Sequence, residues 1–138
     1  MTSVTEPVLL GPYNEQVRGL FQNPRHAGDA AAGNGRRYEA RASEATAGAQ
    51  ILLIAGVTEG ILAALRFRVF GCPHLIAAAE ATCERFEGGA VNKLQEFSVS
   101  DLMETLGVPV EKMGRILLLE DAIQALLSQV DGKEINRN

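Results

Sequence analysis

The stretch from Arg36 to Pro73 constrains this chain more than any other. Three strand-like runs follow one another with almost nothing between them. Arg36 to Ala45 alternates in polarity, Ala49 to Val57 contains the apolar run Ile51-Leu52-Leu53-Ile54-Ala55, and Ile61 to Phe70 comes next. The link Thr58-Glu59-Gly60 suits a hairpin, so the economical arrangement is an antiparallel meander. The third run ends at Gly71, and Pro73 stands where a helix places its first residue, a position at which proline gives up only an N–H with no intrahelical partner. Residues 74 to 87 then run apolar and Ala-rich to a stop at Gly88-Gly89. Ser98 with Asp101 predicts a helix of one to two turns that ends at Gly107 and Pro109. A last helix, about 111 to 130, carries Ile116, Leu119, Ile123, Leu126, Leu127 and Val130 on one side. Ahead of the sheet, Tyr13, Val17, Leu20 and Phe21 recur at helical spacing until Asn23-Pro24, and residues 26 to 35 are glycine-rich and expected to be irregular. Strands first and helices after predict an α+β fold, a three-stranded antiparallel sheet with helices packed on it. No repeat or boundary divides the chain, so 1–138 reads as a single domain with a flexible leader at 1–12 and a frayed tail at 131–138.

At 138 residues such a domain can build a core without metals or disulfides. Thirteen basic against seventeen acidic residues give 13 − 17 = −4, and the acidic excess lies after residue 100. A nucleic-acid binder would show a basic stripe, so no nucleic-acid partner is expected. No apolar run approaches the roughly 18 residues of a membrane span, and the start lacks the pattern of a secretory signal. The expectation is a soluble, cytoplasmic protein that does not enter a membrane.

Two cysteines make no disulfide framework. On one helix, Cys72 and Cys83 would stand about 16 Å apart along the axis, too far for a bond. Cys72 falls at the N-cap of the Pro73 helix, where the helix-end partial charge favours thiolate. Two readings are open there: a reactive thiol, or a small residue packed in a strand-to-helix turn. Cys83 lies in an apolar helical stretch and reads as packing. His74, two residues after Cys72, is a candidate ligand or proton acceptor, and His26 sits in the glycine-rich loop. A Cys-His catalytic pair would need a third orienting group that the sequence does not indicate. Glu120-Asp121 reads as helix surface rather than a cation site, and no Gly-Lys-Ser/Thr follows Gly33 and Gly35 to make a phosphate loop.

Several segments share one resemblance. Tyr13-Asn14-Glu15-Gln16-Val17 followed by Asn23-Pro24-Arg25-His26-Ala27-Gly28 resembles the opening of the U-type iron–sulfur cluster scaffolds, the IscU and NifU N-terminal family. Gly60-Ile61, Arg66-Phe67 and Phe70-Gly71-Cys72 resemble that family's third strand and central Gly-Cys motif. Lys112 and Glu120-Asp121-Ala122-Ile123 resemble its C-terminal helix, in an alignment without gaps from Gly56 to about Val130. The resemblance implies an IscU/NifU-like fold, no enzymatic activity, and an iron–sulfur cluster held by three cysteines and an aspartate. Of that set only Cys72 matches. The family's Cys-Gly-Asp falls at Thr46-Ala47-Gly48 or one residue later, its chaperone motif reads Val108-Pro109-Val110-Glu111-Lys112, and its His-Cys becomes Gly114-Arg115.

One thiolate cannot satisfy two irons at four-coordination each, so a cluster on a single chain is not expected. The resemblance then implies a divergent scaffold of cluster assembly or sulfur transfer. Cys72 would be sulfur acceptor or sole remaining metal ligand, with Arg115, His74, Thr46 and Gly48 lining the site. Its partners would be a cysteine desulfurase and a chaperone, met through Asn23, Pro24, Arg25, Pro109 and Lys112. The alternative is an interaction module that keeps this docking surface and does no sulfur chemistry.

Overall fold

The computed structural model describes residues 15–30, 35–46 and 48–134, the last four as backbone only. The leader at 1–12 and residues 135–138 of the tail lie outside the described residues. In chain order the elements are α1 (Glu15–Gln22), β1 (Arg36–Glu44), β2 (Ala49–Thr58), β3 (Ile61–Phe70), α2 (Pro73–Phe86), a 3-10 segment (Val91–Glu96), α3 (Val99–Leu106), a 3-10 turn (Val110–Lys112) and α4 (Met113–Glu134). The sheet order is β1-β2-β3, antiparallel throughout. The α+β meander therefore stands as expected.

The β2–β3 link is a tight hairpin in which Glu59 and Gly60 both take positive φ, 52° and 78°, the geometry that matches the twist of the flanking strands. One face of the sheet carries Tyr38, Ala40, Ile51, Leu53, Ala55, Leu65 and Phe67 into a core shared with Leu75, Ile116, Leu119, Ile123 and Leu126. Helix α4 covers β1 and β2, α2 lies against β3, and α1 packs on α2 through buried Val17. Ser98 accepts the Asp101 amide at 3.2 Å to start α3. Gly107 ends it at φ 67°, with the Val108 amide donating to Met103 and that of Gly107 to Glu104, which satisfies two of its last four carbonyls.

Both ends of the last helix differ from the sequence reading. It begins only at Met113, because Pro109 leads first into a 3-10 turn, and it continues through Glu134 rather than stopping at Val130. Residues 26–28 form no regular element, as expected, but they are tied to β3: the Phe67 amide donates to the His26 carbonyl at 3.0 Å and the Gly28 amide to the Phe67 carbonyl at 2.9 Å. At the other end of the same edge, Leu62 exchanges bonds with Gly88 and Gly89 at 2.8 Å each. The free edge of β3 has unpaired peptide groups, and these two segments cover it.

Candidate functional site

Cys72 lies where β3 passes into α2. Its φ and ψ of −76° and 129° are extended, its carbonyl accepts the amides of Leu75 and Ile76, and its side chain makes no capping bond. The thiol is half-buried and stands 4.0 Å from Nδ1 of His74. Gly71 sets this corner. Its φ of 121° suits only glycine, and a Cβ there would stand 3.2 Å from the Cα of Ala49 and 3.3 Å from the carbonyl oxygen of Gly48. The β1–β2 turn thus packs directly on the residue before Cys72.

His74 is 1% exposed, and burial, aided by the positive charge of Lys112, holds its imidazole below the usual pKa. Lys112 ends the 3-10 turn that opens α4, so the charge that reaches this corner comes from the Pro109–Lys112 segment. Gly48 abuts the corner through its backbone, whereas Thr46 is an exposed residue of the same turn. Arg115 is half-buried, forms no described hydrogen bond to Cys72, and keeps its Nε buried without a hydrogen-bond partner among the described residues. Asn23, Pro24 and Arg25 follow α1 at a distance in sequence from Cys72, and Arg25 reaches Glu84 of α2 at 3.5 Å. Cys83 is fully buried, and burial first, then the nearby Glu80 and Glu87, pushes its thiol well above the usual range.

A family model described as the NifU-like N terminal domain matches residues 12–137. The chain belongs to that family. Among relatives of this NifU-like domain, the iron–sulfur cluster assembly scaffold protein IscU of Escherichia coli is 29% identical over 126 residues, covering 88% of this chain and 95% of its own length. IscU of Buchnera aphidicola is 26% identical over 125 residues, covering 90% and 98%. Two solved structures share the fold. The N-terminal NifU-like protein of Brucella abortus superposes with a TM-score of 0.69 at 15% identity over 87% of this chain and 94% of that one. A scaffold protein described as a putative one for the SUF system, from Fervidobacterium islandicum, gives 0.66 at 13% identity over 83% and 96%.

As a NifU-like domain the chain is poor in ligands. Among the described residues no group of three His, Cys, Asp or Glu side chains could hold a metal ion. Cys72 and His74 are the two donors at the corner, and the only other thiol in the sequence, Cys83, is enclosed in the core. No described helix is long and apolar enough to cross a membrane.

The polar cluster that sequence reading missed lies elsewhere on α2. The buried carboxylate of Glu80 accepts the His26 amide at 2.8 Å and faces His26 Nδ1 at 2.6 Å. His26 Nε2 meets Glu87 at 3.1 Å, and Glu87 also accepts the Leu65 amide and pairs with Arg66. Burial works against charge on Glu87, but the Leu65 amide, Arg66 and His26 together outweigh it and hold the carboxyl below the ordinary range. The one advance signal was Glu80 itself, an acid next to Ala77-Ala78-Ala79 on an apolar helix.

Proposed function

We propose that this NifU-like domain acts in iron–sulfur cluster assembly by accepting sulfur on Cys72. The observation that carries the reading is the Gly71-Cys72-Pro73 corner. A half-buried thiol without a capping bond stands at a helix N-terminus, 4.0 Å from an imidazole that burial and the Lys112 charge hold below its ordinary pKa. The cargo that suits these residues is sulfane sulfur rather than iron, since one thiolate and one imidazole leave iron under-coordinated.

In the transfer, the Cys72 thiol first gives its proton to solvent. Its thiolate attacks the terminal sulfur of a persulfide on a cysteine desulfurase. A new S–S bond forms at Cys72 while the donor S–S bond breaks, and the donor cysteine leaves as thiolate, so no outside oxidant or reductant enters. Asn23, Pro24 and Arg25, with Pro109 and Lys112, serve as docking residues for the desulfurase and a chaperone. Arg115, whose Nε has no hydrogen-bond partner among the described residues, lines the site with Thr46 and Gly48. The domain carries cargo rather than turning over a substrate, and unpaired thiols suit a reducing cytoplasm.

Mass spectrometry after incubation with a cysteine desulfurase and cysteine tests this. The expected result is a gain of one sulfur on Cys72, retained in Cys83→Ser and absent in Cys72→Ser. Unaltered desulfurase binding without any gain of sulfur would overturn sulfur acceptance and leave a docking module.

A further inference from the structure

The outer face of the sheet, away from the helices, is basic in a chain whose net charge is −4. Register aligns Arg41 of β1, Leu52 of β2 and Arg68 of β3 in one cross-strand row, and Ser43, Gln50 and Phe70 in the next row on the same face. Between the rows lies an open depression of about 280 Å³, lined by Arg41, Gln50, Leu52, Arg68, Val69 and Phe70. Phe70 is 67% exposed. Neither Arg41 nor Arg68 has an ion-pair partner among the described residues. The acids of this face are taken by another residue: Arg37 bonds Asp29 at 2.8 and 3.2 Å and also pairs with Glu39. Asp29 feels the Arg68 charge at longer range but gives its hydrogen bonds to Arg37 and the Ala30 amide.

From this arrangement we infer that the Arg41–Arg68 face docks an acidic segment of a partner protein, with an apolar side chain of that segment covering Leu52 and Phe70. The two arginine Cα atoms stand two strand spacings apart, roughly 10 Å, a span that two carboxylates of one segment can match. Arginine favours carboxylate through its planar fork. A lone exposed Phe would mean nothing, and a lone surface arginine little more. Here an apolar floor and two uncompensated cations share one concave face, which specifies charge and hydrophobicity together. Phe70 is two residues from Cys72, so the docked partner would lie beside the thiol without using it.

The test is selection of a random displayed peptide library on the immobilised full chain, followed by anisotropy titration of enriched peptides. Acidic peptides bearing an apolar residue should enrich, and Arg41→Glu with Arg68→Glu should weaken them at least roughly ten-fold. Phe70→Ala should weaken them less, and Cys72→Ser should leave binding unchanged, which separates this inference from sulfur acceptance. Circular dichroism verifies that these surface variants fold. No acidic enrichment, or enriched peptides indifferent to charge reversal, would overturn the inference. So would full competition by inorganic pyrophosphate, which marks a bare anion site, or a dimer in sedimentation that dissociates on charge reversal, which marks a second copy as occupant.

Discussion

Glu80 offers the strictest check on how α2 is held, and through α2 on how Cys72 is presented. The carboxylate is 1% exposed and makes two short contacts to His26, at 2.8 and 2.6 Å. Glu80→Ala removes both and leaves a buried backbone N–H without its acceptor and a buried ring nitrogen without its partner. Each buried group left unsatisfied costs roughly 1–3 kcal/mol, and two are left here. A loss of about 4 kcal/mol is therefore expected, a large share of the 5–15 kcal/mol typical of a domain. Glu80→Gln keeps the volume and one acceptor, so its expected cost is nearer 2 kcal/mol. Urea unfolding at neutral pH, followed by far-ultraviolet circular dichroism, measures both as shifts in midpoint at constant slope. A double-mutant cycle with His26→Gln should give a coupling above about 1 kcal/mol. If Glu80→Ala costs under about 1 kcal/mol, or the cycle is additive, Glu80 does not hold His26 and the anchoring of residues 23–28 on α2 is misread.

Other expectations concern the site and its frame. Cys72 should alkylate at least roughly a hundred-fold faster than Cys83 in single-cysteine variants, because Cys83 reacts only through opening of the core; equal rates would contradict the burial. Gly71→Ala should destabilise by about 2–3 kcal/mol in thermal or urea melts, since φ of 121° and the 3.2 Å approach to Ala49 both oppose a Cβ. Glu59→Gly should stabilise by about 1 kcal/mol, as Glu59 alone among the described non-glycine residues has positive φ. Stability should fall on acidification in two stages. His74 has a lowered pKa, so below about 6.5 the unfolded chain takes up a proton that the folded one resists; Glu87, also lowered, contributes stability above about 4.3 that is lost as pH falls through its folded value. Urea midpoints from pH 7.5 downward measure this, and His74→Gln should flatten the upper stage.

Local rules were enough for the order and kind of the elements. Alternation in 36–45, the apolar run after it, the turn at Thr58-Glu59-Gly60, Pro73 opening a helix and Gly107 closing one are each dictated by neighbours within a few residues. That is why the α+β meander and the place of Cys72 at a helix start were legible. Family resemblance through Asn23-Pro24-Arg25 and Phe70-Gly71-Cys72 was legible for the same reason, being written in short runs. What required the tertiary structure were the pairings across long sequence separations. His26 meets Glu80 and Glu87 only because the segment after α1 adds to the edge of β3, where α2 also packs. Lys112, from the far side of the chain, rather than Arg115, supplies the charge felt at His74. Arg41 and Arg68 share a face only through the register of two strand pairs, and neither residue's neighbours in sequence disclose it. Secondary structure answers to steric and hydrogen-bond preferences a few residues wide, whereas a site or a surface is the meeting of side chains that only the folded path of the chain brings together.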